Sequence, residues 1–382
     1  MTFINVAAGE AGSKCEQETM PVVDSFAQGL AQLNAKQSLW ERRRGENKAK
    51  SLASLSPITT RASAMSPGRR SDSDALHVKD RCISSMSVFS TSTSPDGSEQ
   101  ASPVSTASPF PRVELPDLLH SLYVAEEVVA CGSTCRVVRA TCRSSGRYVA
   151  LKVMKCRDEE MMAVAEAEYK LMRRIEHPNI VRALDFHVCG GRAVTVMDYF
   201  HGVSLDKAVH QTKEGFVPEE TTRSLTQQLL SAIACLHRNG ILHRDIKPEN
   251  VLVSHDMTHL CLVDFNTATA ALEPLTPAGT LLYNAPEVLD GQPSTQAADV
   301  WGAGVCVYLM LSGRLPQERG RDDLNRRGLC RLAHREVSCS GKQWESVSSL
   351  ATSFVGRCLA VEASCRPSTE DILVDSWLGS VP

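Results

Sequence analysis

The rhythm of apolar and polar positions divides the chain into a sparse first third and a densely patterned remainder. From about Ser51 to Pro111 the residues are mostly Ser, Thr, Pro and Ala. Large apolar side chains are too few there to offset the entropy of ordering, so a disordered segment is expected. Ahead of it Val22, Val23, Phe26, Leu30, Leu33 and Trp40 approximate one helical face, followed by the basic run Arg42, Arg43, Arg44, Lys48 and Lys50. Two readings of this stretch stand: a marginal helix in a disordered tail, because short isolated helices are rarely stable, or a basic amphipathic helix of the kind calmodulin accepts.

Near Leu118 the pattern changes. Tyr123 to Val129, Arg136 to Thr141 and Arg147 to Met154 are short β-branched-rich runs separated by Gly and Ser, as consecutive antiparallel strands are. Glu159 to Ile175 turns helical, and Ala193 to Met197 returns to strand. Beyond Gly202 helical periodicity dominates. Pro218, Glu219 and Glu220 suit a first turn, Leu225, Leu229, Ile233 and Leu236 share a face, and Gly240 follows the last turn. Val300 to Leu311 is apolar nearly all round and predicts a buried helix. A β-rich half followed by an α-rich half is an α+β domain.

Composition narrows the function classes. With 382 residues the chain has room for one large domain plus a sizeable tail, or for two ordinary domains. A formal charge of -3 offers no basic field for nucleic acid or an anionic membrane. No apolar run is long enough to span a bilayer, and no signal or transit peptide is evident. The fourteen cysteines are scattered without zinc-ligand spacing, as reduced thiols of a cytoplasmic or nuclear protein would be.

The chemistry concentrates in His243-Arg244-Asp245-Ile246-Lys247-Pro248-Glu249-Asn250, followed fourteen residues after Asn250 by Asp264-Phe265-Asn266. An Asp, a Lys and an Asn on one short loop can orient a hydroxyl, neutralise a moving phosphoryl group and hold a metal. A second Asp can hold Mg²⁺ across the phosphates. A charged surface loop is the bland alternative, and eight consecutive fitting residues argue against it.

On these motifs the chain resembles the eukaryotic protein kinase family, serine/threonine type, over roughly Tyr123 to Leu378. The resemblance implies the bilobal kinase fold: a tail over 1–117, a kinase domain over 118–379, a small lobe near 118–198 and a larger helical lobe near 203–379. It implies ATP and Mg²⁺ as cofactors and protein Ser/Thr hydroxyls as substrate. Asp245 is the implied catalytic base, with Lys247, Asn250, Lys152 and Glu168 beside it. Val149-Ala150-Leu151-Lys152 looks like the strand whose lysine anchors the α and β phosphates, and Glu168 matches its helix partner in preference to Glu166. Val129, Val137, Ala150 and Leu252 match apolar positions around the adenine. Met197 to Phe200, including Asp198, match the hinge along its edge. Asn250 and Asp264 match the metal ligands.

Two positions depart from the family pattern. In Ala130-Cys131-Gly132-Ser133-Thr134-Cys135-Arg136-Val137 only the middle glycine remains, so Gly132 is expected to approach the phosphates in a stiffened loop of weaker nucleotide affinity. Asn266 stands where the family has glycine, and Asn is expected there as a residue that tolerates the left-handed region. These departures keep open a pseudokinase, a binding scaffold of the same fold that transfers nothing.

The resemblance also implies roles for Thr280 beside Lys247 and the catalytic Asp on the substrate side, and for Thr276 as a phosphate site read by Arg244. Pro277 next to it would suit a proline-directed upstream kinase. Glu287 is expected to pair with Arg366, and Asp299 to brace the catalytic loop. Asp375-Ser376-Trp377-Leu378 resembles the terminal helix of the calcium/calmodulin-dependent group. With four residues after it, control of that kind is expected from the tail or another chain.

Overall fold

The computed structural model describes residues 115, 117–132, 134–269, 281–316 and 333–379, together with the backbone of 87–88. The stretches expected to be a tail helix and a disordered segment lie outside these residues, apart from 87–88, as do Thr276 and Thr280.

A six-stranded antiparallel sheet forms the first lobe, in the order β1-β2-β3-β4-β6-β5. Its strands are β1 (Ser87–Val88), β2 (Tyr123–Cys131), β3 (Cys135–Cys142), β4 (Tyr148–Lys155), β5 (Ala183–Cys189) and β6 (Arg192–Asp198). The central β4 reads as a nearly continuous apolar run, as a strand covered on both faces does. One face packs Val138, Ala140, Leu151 and Val196 against Leu115 and Leu119, the latter on helix α1 (Asp117–Leu122). Leu115 is thus already part of the lobe's core, three residues ahead of the expected boundary.

Helix α2 (Glu159–Met172) crosses from the sheet toward the second lobe. Asp158 caps it by accepting from the Met161 N–H at 2.8 Å, and Glu159 and Glu160 suit the positive end of its dipole. It ends at Met172, short of the expected Ile175.

The second lobe contains α3 (Leu205–Gln211), α4 (Glu219–Arg238), α5 (Pro286–Leu289), α6 (Gln296–Ser312), α7 (Ser349–Cys358), α8 (Thr369–Leu373) and α9 (Ser376–Gly379). A small sheet of β7 (Gly202–Ser204), β8 (Val251–Ser254) and β9 (Leu260–Leu262) lies between the lobes. The amphipathic face of α4 buries Leu225, Leu229, Ile233 and Leu236, each worth about 1.5–3 kcal/mol. Every residue of α6 from Asp299 to Ser312 is buried. The helix stops at Gly313, whose φ of +68° and contact with the Gly215 carbonyl exclude a side chain.

Gly302 has a different purpose. A Cβ there would lie 2.6 Å from the Ile246 carbonyl oxygen. Its absence lets α6 press directly on the loop that carries Asp245.

Candidate active site

The loop that carries Asp245 is held by one carboxylate. Asp299, 1% exposed, accepts from the backbone N–H of His243 at 3.0 Å and of Arg244 at 2.8 Å, and from His237 Nε2 at 2.9 Å. Burial pushes the Asp299 carboxyl up, but the hydrogen bond and charge of His237 outweigh it and hold it below the usual range. These bonds hold Arg244 at φ +68°, a conformation that costs a non-glycine residue about 1–3 kcal/mol. The turn presents Asp245 upward. Lys247 Nζ donates to Asp245 Oδ2 at 2.5 Å, and Asn250 Nδ2 donates to the same oxygen at 2.9 Å and to the Asp245 carbonyl at 2.9 Å.

A second cluster descends from the sheet. Lys152 on β4 is 4% exposed, and its Nζ donates to Glu168 Oε1 on α2 at 2.6 Å, Asp264 Oδ1 at 3.0 Å and Asn266 Oδ1 at 2.8 Å. Glu166 faces elsewhere and pairs with Lys170 at 2.7 Å, so the glutamate two residues on is the one brought to the lysine. Burial pushes Asp264 up, but the Lys152 charge beside it wins and holds it below the usual carboxylate range. For Asp245 burial prevails over the opposing pull of Lys247, and its carboxyl is raised.

The Lys152 cluster and Asn250 open onto a cleft of about 310 Å³. Val129, Val137 and Ala150 reach it from the sheet, Leu252 from β8, and Met197, Asp198 and Phe200 along the link between lobes. Lys152, Glu168, Asn250 and Asp264 line its inner end. Apolar walls with a few convergent charges are what a nucleotide base with a phosphate tail requires. Gly132 is not among the lining residues. Its N–H closes the hairpin turn on the Cys135 carbonyl at 2.8 Å, while Ala130 and Cys135 are both buried.

Asn266 departs from the expectation placed on it. Among the described residues the non-glycines with positive φ are Arg244, Met257 and Asp264; the left-handed position is therefore Asp264, at +65°, and not Asn266. Neither the side-chain bonds of Asn266 nor the Tyr283 hydroxyl, which donates to Glu249 at 2.8 Å, was legible from spacing. At the open end Arg139 lies 5.5 and 5.8 Å from the rings of Tyr148 and Tyr199. That cluster carried no motif.

The ligand set suits a hard cation. Asp264 supplies carboxylate oxygen, and the Asn250 amide nitrogen is engaged by Asp245, which leaves its carbonyl oxygen as the donor to a metal. Mg²⁺ is commonly held by one or two such protein oxygens plus substrate phosphates.

Fold and cleft together are those of a protein kinase. The protein kinase domain family matches residues 123–378, and the chain belongs to it. Among relatives, human serine/threonine-protein kinase H1 is 34% identical over 267 residues, covering 68% of this chain and 62% of the relative. Human serine/threonine-protein kinase H2 is 31% identical over 264 residues, 67% of each chain. PkaA of Streptomyces coelicolor, also named a serine/threonine-protein kinase, is 33% identical over 276 residues, 66% of this chain and 49% of the relative. The chain thus spans less than two thirds of the length of the H1 relatives it matches. The family uses ATP and a divalent cation.

Proposed function

We propose that the chain is a serine/threonine protein kinase that transfers the γ-phosphoryl group of ATP to protein hydroxyls, with Mg²⁺ as the cation. The observation that carries this reading is that Lys152, Glu168, Asp264 and Asn250 line one cleft, with Asn250 bonded in turn to Asp245, which Lys247 also contacts.

In this reading Lys152, oriented by Glu168, binds the α and β phosphates, and Asn250 and Asp264 hold the cation, which screens phosphate charge when bound. Asp245 orients the substrate hydroxyl and takes its proton as the new oxygen–phosphorus bond forms and the bond to the β-phosphate oxygen breaks. Lys247 neutralises charge at the moving group. Its contact with Asp245 keeps the base and that positive charge in one place. Catalysis here is chiefly positioning and electrostatics.

The proposal extends to a kinase domain over 118–379 behind an N-terminal tail, to activation through Thr276 by an upstream kinase, and to a calmodulin-type acceptor for the tail. Sequence alone supports these. A cytoplasmic or nuclear setting rests on the thiols; among the described residues no helix is long and apolar enough to cross a membrane, and the described cysteines are free.

The test is γ-labelled ATP with Mg²⁺ and a generic basic protein, followed by phosphoamino-acid analysis. Label on Ser or Thr is expected. Nucleotide binding without transfer would instead support the scaffold reading.

A further inference from the structure

Both ends of the Asn266 carboxamide bond to residues that line the cleft. Its Oδ1 accepts from Lys152 Nζ at 2.8 Å and its Nδ2 donates to Asp264 Oδ1 at 2.6 Å. An ammonium has three protons. Glu168, Asp264 and Asn266 supply three acceptors at 2.6, 3.0 and 2.8 Å, so all three donors of Lys152 are taken by these residues.

A phosphate oxygen would need one of those donors. Glu168 is the wrong acceptor to surrender, because it is buried and its pairing with Lys152 fixes the lysine. Asp264 is a partly buried carboxylate, and giving up Lys152 would cost it a charged partner. Asn266 is neutral. An amide carbonyl leaves a lysine at far lower cost than a carboxylate does, and a phosphate oxygen replaces it with a stronger, charge-assisted bond.

We propose that Asn266 is an internal stand-in for nucleotide phosphate: a positioning residue whose carboxamide holds Lys152 and Asp264 in place beside Glu168, and which a nucleotide phosphate displaces. A glycine at this position has no group to offer either partner. The residue therefore trades nucleotide affinity for a site that is pre-organised before the nucleotide arrives. The inference rests on the kinase reading of the cleft.

The Asn266 bonds also predict a graded series. Asn266→Ala and Asn266→Gly both remove the competitor and should bind ATP and ADP about 3- to 10-fold more tightly than wild type, the worth of one such hydrogen bond. Asn266→Asp keeps an acceptor for Lys152, strengthens it with charge and sets a second carboxylate against Asp264 and the phosphates; it should bind more weakly than wild type. Without nucleotide, Asn266→Ala should melt at a lower temperature than wild type, and saturating nucleotide should narrow the gap.

The experiment is calorimetric titration of the full chain and these three variants with ADP and with a non-hydrolysable ATP analogue, each with and without Mg²⁺, alongside thermal melts. The order Ala and Gly tighter than wild type, with Asp weakest, supports the proposal. Tighter binding by Gly alone would make backbone freedom the cause and overturn it. Unchanged or weaker binding by Ala, with wild-type binding intact, overturns it while leaving the kinase reading standing. Absence of binding by wild type and all variants would overturn both.

Discussion

Asp299 holds the backbone N–H of Arg244 at 2.8 Å and so fixes a left-handed residue directly before Asp245, the proposed base. One buried carboxylate on α6 therefore sets the direction in which Asp245 points. Replacing it by Ala leaves two buried backbone donors and His237 without their acceptor. Asp299→Ala should lose about 3–5 kcal/mol of stability, and Asp299→Asn, which keeps one acceptor oxygen, distinctly less. Urea unfolding of both variants measures this. Equal midpoints for Ala and wild type would show that the brace is idle.

The second brace is Arg366, whose Nη1 and Nη2 reach the two oxygens of Glu287 at 2.7 and 2.8 Å. Its guanidinium also donates to the carbonyls of Ala360, Val361 and Ala297 and lies 4.9 Å from the ring of Trp301. A lysine cannot reproduce that fork. Arg366→Lys should therefore destabilise by about 2–4 kcal/mol, nearly as much as loss of the charge. In a double-mutant cycle Arg366→Met with Glu287→Gln should cost less than the sum of the single changes.

Acid should stop turnover before it unfolds the protein. Burial raises Asp245 above the usual carboxylate range despite the nearby Lys247, so the proposed base takes up a proton while an ordinary Asp would still be ionised. Asp264 is shifted the other way. Burial pushes it up, but the Lys152 charge holds it below its unfolded value, so its contribution to stability is complete above that value and is lost only as pH falls through the folded one. Turnover and intrinsic fluorescence followed together down the acid range should separate, with turnover failing first. The reverse order would place Asp245 in a role other than base.

Thr276→Ala should lower turnover about tenfold or more, the effect of losing the charge-assisted bonds with which a phosphate orders such a loop. Arg244, the residue expected to read that phosphate, already donates through Nη1 to the Thr267 carbonyl at 3.4 Å at the start of the segment. Equal turnover by the variant and by wild type phosphorylated at Thr276 would remove this site from regulation.

What could be read in the sequence follows from where the signal is strong. α4 has a long run with one clear period, β4 a nearly continuous apolar run, and α6 is apolar all round; all three were legible within a few residues. β5 was not. Its residues Ala-Leu-Asp-Phe-His-Val-Cys sit on a sheet edge with half-exposed polar positions, which blurs the alternation. The β7–β9 strands are only three or four residues long and give a period no room to show.

In the site, residues tied to a contiguous motif could be named, and Lys152 and Asp264 lie 3.0 Å apart though distant in sequence. Asn266 could be seen as a departure but its use could not. Backbone preference suggested a left-handed residue, whereas the fold places that conformation at Asp264 and turns the Asn266 side chain into the cluster. Preference for a region of φ says nothing about which neighbour a side chain will find.

The most direct test compares wild type with Asp245→Asn in two measurements on the same preparations: ATP affinity and single-turnover transfer of the γ-phosphoryl group to a protein Ser or Thr. Asp245 contacts Lys247 and Asn250 and is not among the residues lining the cleft, so affinity should be unchanged while transfer falls about 10²–10⁴-fold. Transfer by Asp245→Asn at the wild-type rate, with ATP bound equally, would contradict the account.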